Sequence, residues 1–432
     1  MTYKSSLNLV AMIVFFCLGC ATRKSSLTPT SELKSLPGSI APDDHIITGI
    51  LAQYPQYFDS LLKNNQKWEI KIIYTQIDRK NNNRPVFTNH YFNIEPGQYF
   101  YPASTVKMPT AAMALQKLRE LKIRGLDRNT TMITDSGYHH ETALYNDPES
   151  ADGRPTIANY IKKIFLVSDN YAFNRLYEFT GQEYLNRTLQ KMGYDSAQIL
   201  HRLEVSMTED ENRHTNPISF YDPSLNAIYR QPLAESKMQY QTRFNLLGNG
   251  YYAGGRLEPK PFDFSRKNRL SLPDLHSILE SILFPKSVAR KQRFHLKKSD
   301  YRFLYKYMSM KPGESRFPQY DSTYPEAYSK LLLYGGKGKI DSSIRIFNKE
   351  GDAYGFLTDV AYIVDLKNKI EFLLSASILC NSDGIFNDNH YDYDKVGYPF
   401  LKNLGQVIYN FELQRKRRNV PDLSKFRLIY AE

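Results

Sequence analysis

Cysteine is scarce in this chain of 432 residues, which has three. Two of them, Cys17 and Cys20, close an apolar stretch near the N-terminus, so a folded body beginning after it holds Cys380 alone and has no internal disulfide. Its hydrophobic core must hold the fold unaided. Tryptophan occurs once, but 33 Tyr and 24 Phe supply large areas for burial, many with a polar ring tip. With 41% hydrophobic and 24% charged residues, disorder throughout is excluded and one large or two ordinary domains are expected. No internal repeat is evident.

Acidic residues are outnumbered, 45 against 57 basic ones, for a formal charge of +12. A basic surface attracts any polyanion. Lys and Arg are scattered apart from Arg415-Lys416-Arg417-Arg418, and no zinc-knuckle or RNA-recognition motif accompanies them, so nucleic-acid binding is not expected. A basic face near an anionic cell envelope accounts for the charge. Metal and phosphate motifs are also missing. Adjacent side chains in His139-His140-Glu141 do not converge on an ion, and no third ligand is spaced for one. Asp383–Asp394 lacks the spacing of a calcium loop and reads as a solvated turn before the last helix. Gly248-Asn249-Gly250 and Gly254-Gly255 are followed by no Gly-Lys-Ser/Thr, which excludes a phosphate loop. No metal and no cofactor are expected.

What is present begins at the N-terminus. Lys4 precedes the apolar run Leu7–Leu18, too short to span a bilayer but suited to the h-region of a signal peptide. It ends in Cys17-Leu18-Gly19-Cys20, which resembles the bacterial lipobox, with Cys17 where Leu is usual. The resemblance implies removal of residues 1–19, lipidation of Cys20 and a membrane lipoprotein facing the periplasm. Ordinary cleavage near Gly19 and Ala21 is the alternative. Residues 20–44, rich in Ser, Thr, Pro and Lys, read as a flexible tether, leaving a body over 45–432.

Ile46–Leu62 has helical apolar spacing around Pro55; Trp68–Ile77 and Val86–Ile94 alternate as a strand pair around Asn81-Asn82-Asn83. From Ser104 to about Tyr334 helical periods dominate, at Val106–Leu121, Thr156–Phe165, Tyr171–Phe179 and Leu272–Ile282, with residues 209–267 as an elaboration inside that lobe. Strand patterns return at Ser342–Phe347, Gly355–Asp365 and Ile370–Cys380, before a helix over Tyr398–Leu413. This order predicts an α/β (α+β) fold: one antiparallel sheet from both chain ends, flanked by terminal helices and facing a mostly helical lobe, with the active site between.

The chemistry centres on Ser-x-x-Lys, in which a Ser opening a helix has a Lys one turn later beside its hydroxyl. Three runs have this spacing: Ser31–Lys34 in the tether, Ser60–Lys63 at the end of the first helix, and Ser104-Thr105-Val106-Lys107. Only Ser104 follows a proline and precedes a long apolar helix, which would bury Lys107 and put the nucleophile at a helix N-terminus. Downstream, Ser168-Asp169-Asn170 offers a hydroxyl to shuttle a proton and an amide to bind substrate.

With these motifs the chain resembles the class A β-lactamase and penicillin-binding serine hydrolase family, whose set is Ser-x-x-Lys, Ser-Asp-Asn and Lys-Thr/Ser-Gly. Of four Lys-x-Gly runs (at Lys191, Lys311, Lys349 and Lys395), Lys349-Glu350-Gly351 alone closely follows one strand and precedes another, the motif's place in the family. Arg202-Leu203-Glu204-Val205-Ser206-Met207-Thr208 resembles the family's omega-loop run, Arg-x-Glu-x-x-Leu-Asn. The resemblance implies that Ser104 attacks the lactam carbonyl, Lys107 or Glu204 accepts its proton, and Ser168 protonates the departing nitrogen. It further implies that Asn170 orients the substrate amide, that Lys349 with Glu350, Gly351 and Asp352 forms the binding strand, and that backbone N–H groups of Ser104 and Asp352 make the oxyanion hole. Glu204 would activate the deacylating water.

Two departures bear on substrate and turnover. Glu350 replaces a hydroxyl residue and would repel an anion unless protonated, turned away or paired. Thr208 replaces the water-holding Asn and lacks its amide donor. The expected activity is hydrolysis of β-lactam rings by a monomer. The alternatives are a peptidoglycan DD-peptidase on the same residues without dependence on Glu204, or a catalytically weak lipoprotein that binds lactams or muropeptides.

Overall fold

The computed structural model describes residues 45–95 and 97–431. The signal peptide, Cys20 and the tether lie outside the described residues.

Five strands form the main sheet: β1 (Lys71–Arg79), β2 (Pro85–Phe92), β3 (Ile344–Ala353), β4 (Phe356–Asp365) and β5 (Ile370–Leu379). Their order is β3-β4-β5-β1-β2 and every pairing is antiparallel. The N-terminal hairpin thus joins the C-terminal meander through β1 and β5, where Ile73 faces Ser375. All ten residues of β4 are buried, where a strand of a one-faced sheet would alternate, because helices cover both faces.

The longer helices are α1 (His45–Ala52), α2 (Pro55–Lys63), α3 (Lys107–Leu121), α4 (Ile157–Val167), α5 (Asn170–Thr180), α6 (Gln182–Met192), α7 (Leu272–Leu283), α8 (Lys298–Ser309) and α9 (Tyr398–Gln414). One face of the sheet packs on α1, α2 and α9 through Ile47, Leu51, Phe58, Leu401, Leu404 and Ile408. The other packs on α7 and α8 and is continuous with the core of the helical lobe, where α3 is buried on nearly every side. Ala111, Ala112 and Ala114 let neighbouring helices approach α3 closely.

Two expectations are corrected and the make-up of a third segment is filled in. The helix read over Ile46–Leu62 is two helices: Pro55 has no N–H and would clash with the preceding turn, so it starts α2 at its first position instead of continuing α1. Trp68 belongs to a single helical turn, Asn65–Trp68, which Glu69 ends in a left-handed conformation (φ 44°), so β1 starts at Lys71. Residues 209–267 hold only one short helix, Glu209–Arg213, and are otherwise built from short strands. Ile218–Tyr221 pairs with Thr131–Thr134 and with Ala227–Gln231, while Gly250–Ala253 pairs with Arg256–Glu258 and, in parallel, with Ile385–Phe386. Strands this short carry too few residues for a period of two to show.

Candidate active site

Ser104 lies in a single 3-10 turn, Ala103–Val106, that runs directly into α3. Ala103 before it has φ 45°, a left-handed conformation costly for a residue with a Cβ, held here by the packing around it. One turn on, Lys107 is fully buried, with Nζ 2.8 Å from Ser104 Oγ and 2.6 Å from Asn170 Oδ1, and also bonded to the Ser168 carbonyl. Burial holds its pKa well below the ordinary lysine value, and the nearby Lys349 charge adds to this against the opposing pull of Glu350, Asp169 and Asp352.

Ser168 and Asn170 arrive together because one tight corner joins two helices. Ser168 ends α4 in a left-handed conformation (φ 60°), and Asp169 caps α5 by accepting the Ala172 N–H at 2.6 Å. The side chains flanking that cap, Ser168 and Asn170, both turn to Lys107: Ser168 Oγ lies 3.3 Å from its Nζ. On the other side Lys349 Nζ donates to Ser168 Oγ at 2.8 Å.

Lys349-Glu350-Gly351 lies within β3 and not after a strand, since β3 extends to Ala353. β3 is the outermost strand of the sheet, and at Gly351 it packs against the turn that carries Ser104. Gly351 is required there: a Cβ would lie 2.7 Å from the Ser104 nitrogen and 2.9 Å from that of Thr105. Asp352 follows on the wall of the cleft. Glu350 is paired, its Oε1 accepting from Lys349 Nζ at 2.8 Å.

Glu204 is exposed in the cleft with φ 59°, and its Oε2 accepts the Asn170 amide at 2.6 Å. Its support comes from α5 and from Arg202. Asn174, one turn after Asn170, bonds both the N–H and the carbonyl of Leu203 (2.9 and 3.0 Å), while buried Arg202 joins Glu141 at 2.5 Å and Glu178 at 3.2 Å. Thr208 does not face the cleft chemistry; its hydroxyl bonds Glu211 Oε2 at 2.8 Å in a capping box for Glu209–Arg213.

One cleft of about 640 Å³ is shared by Ser104, Asn170, Glu204 and Asp352. Tyr101, Lys267, Tyr354, Asn387, Asn389 and Tyr391 also line it and escaped the sequence reading. The Asp383–Asp394 segment is therefore a wall of the cleft and not only a solvated turn, because Ile385–Phe386 anchors it to the strand Gly250–Ala253 of the inserted segment. Its Asn-rich composition signalled left-handed turns (φ 61° at Asn387 and Asn389), but composition cannot aim them. Among the described residues no group of His, Cys, Asp and Glu could hold a metal; His140 bonds Glu211 and Glu141 pairs with Arg202.

A buried, deprotonable amine beside a hydroxyl at the head of a helix, against the outer strand of a sheet, fits a serine acyl-transfer layout. The family model described as the beta-lactamase enzyme family matches residues 56–411, and the chain belongs to that family. It is thereby a serine hydrolase of the β-lactamase and penicillin-binding superfamily, with the corresponding α/β fold. Among solved structures it is similar to a beta-lactamase from Sphaerobacter thermophilus DSM 20745 (12% identity, 86% of this chain and 98% of that one, TM-score 0.45). It is also similar to a class A beta-lactamase from Clostridium kluyveri DSM 555 (15% identity, 82% and 98%, TM-score 0.45). A third similar structure is a PBP-A variant in an acyl-enzyme complex with penicillin G (14% identity, 84% and 96%, TM-score 0.45). A search of curated proteins gives no significant match.

Proposed function

We propose that the protein is a serine β-lactamase that opens lactam rings through an acyl-enzyme on Ser104 and releases it with water activated by Glu204. The observation that carries this reading is the Asn170 side chain, whose two ends join Lys107 and Glu204 at 2.6 Å each, setting a base for acylation and a base for deacylation around one hydroxyl. Ser104 Oγ attacks the carbonyl carbon as its proton passes to Lys107. The developing oxyanion is met by the N–H groups of Ser104 and Asp352. As the C–N bond breaks, Ser168 gives its proton to the nitrogen and is reprotonated from Lys107, to which it lies close. Water then attacks the ester carbonyl, Glu204 takes its proton, and Ser104 leaves with a proton restored. The tethered, monomeric, periplasm-facing form with a lipid on Cys20 belongs to the same proposal.

The capping role of Thr208 favours a second reading, in which the acyl-enzyme persists as in a DD-peptidase or a lactam- or muropeptide-binding protein. Turnover of a chromogenic cephalosporin with intact-protein mass spectrometry separates the two. Steady turnover in the wild type, with Glu204→Ala slowed by about 10²–10⁴-fold and an adduct on Ser104, is the expected result. A stable adduct already in the wild type assigns the second reading, and no adduct with no turnover overturns both for lactams.

A further inference from the structure

Lys349 has three N–H groups and three acceptors, all from its own chain: Ser168 Oγ at 2.8 Å, the Glu350 carbonyl at 2.9 Å and Glu350 Oε1 at 2.8 Å. It is fully buried and Glu350 is 7% exposed, so water screens the pair little. The second amine of the site, Lys107, is likewise enclosed by Ser104, Ser168 and Asn170. Neither can hand a hydrogen bond to a ligand without breaking one to the protein. The carboxylates of Glu204 and Asp352 line the cleft onto which Ser104 opens. Of the lining cations, Arg202 is sealed by Glu141 and Glu178, and Lys267 sits 5.6 Å from the centres of the Phe262 and Tyr354 rings.

Ser168 locates this pair relative to substrate. On the acyl-transfer reading above, on which this inference rests, Ser168 protonates the departing nitrogen, so Lys349 and Glu350 flank the leaving-group side. We propose that the Glu350 carboxylate fills the place on Lys349 that an anionic substrate group would take, making Glu350 a specificity-determining residue. Ser104 is then acylated faster by donors whose group beside the reacting nitrogen is uncharged or cationic than by those that carry a carboxylate there. A substrate carboxylate would have to share one ammonium with Glu350, which like charges oppose, or displace it and leave a buried carboxylate unpaired. An uncharged group meets neither cost.

Acylation rates of Ser104 by benzylpenicillin and by its methyl ester, followed by intact mass, test this in the wild type, Glu350→Gln and Glu350→Thr. The wild type is expected to react faster with the ester. Removing the Glu350 charge should move the acid-to-ester ratio toward the acid by about tenfold, the size of one charge-assisted hydrogen bond. Because the ratio is internal to each protein, a general loss of activity does not move it. A wild type that prefers the acid, or a ratio unchanged in both variants, overturns the role of Glu350. No acylation by either compound overturns the acyl-transfer reading itself.

Discussion

An amine that is to take a proton from Ser104 must reach the reaction unprotonated, and at Lys107 burial favours that state. The Ser168 carbonyl and Asn170 Oδ1 can only accept, so they take two N–H groups, and the lone pair of a neutral amine is left for the Ser104 hydroxyl. Burial lowers its pKa first and the Lys349 charge second. Acylation should therefore gain rate with rising pH through a limb well below the ordinary lysine range, since the neutral form is the competent one. Lys349→Met removes a lowering influence and frees Glu350, which raises the pKa, so the limb should shift to higher pH. A pH profile of acylation on both proteins measures the shift; a limb left in place would show that Lys107 is not the group titrating.

At the scale of elements, the site depends on the outer strand of the sheet pressed against a helical turn. Gly351 permits that approach, because any Cβ would overlap the nitrogens of Ser104 and Thr105. Gly351→Ala is expected to push β3 away from the turn, slowing acylation by about 10²-fold or more through misplaced donors. The strain should cost about 1–3 kcal/mol of stability. Intact mass after timed exposure to a lactam, with urea unfolding alongside, reads the two effects separately. The motif was legible because Lys349 lies between alternating segments, but β3 runs through it to Ala353. Lys349, Asn348 and Gly351 do not alternate apolar with polar, as their partners are Ser168, the Lys330 ammonium and the Ser104 turn, not a uniform core.

For the molecule as a whole, the Glu204 segment is held by charges drawn from distant parts of the chain. Arg202 meets Glu141 and Glu178 while also bonding the carbonyls of Glu211 (3.1 Å) and His214 (3.0 Å). Arg202→Ala should leave the buried Glu141 carboxylate without its ion-pair partner, costing about 3–5 kcal/mol, and should slow deacylation more than acylation because Glu204 is two residues away. Denaturant unfolding and single-turnover kinetics check both; equal losses in the two steps would argue for general destabilisation.

What the amino-acid sequence determined by itself is the local chemistry: a Ser and Lys one helical turn apart, a Ser and Asn either side of a capping Asp, and apolar periods placing strands at both chain ends. These follow from neighbours within a turn or a strand, where backbone geometry dictates who meets whom. Only the tertiary structure decided which repeats of a motif come together. Lys63 of a second Ser-x-x-Lys run pairs with Asp59 on the surface, whereas Lys107 and Lys349 meet at Ser168 across 61 and 181 residues of sequence. It also decided that Glu350 would neutralise Lys349 and that the Asn387 turn would wall the cleft. Such contacts depend on how buried surfaces pack and which charges must find partners there, and no local spacing encodes that.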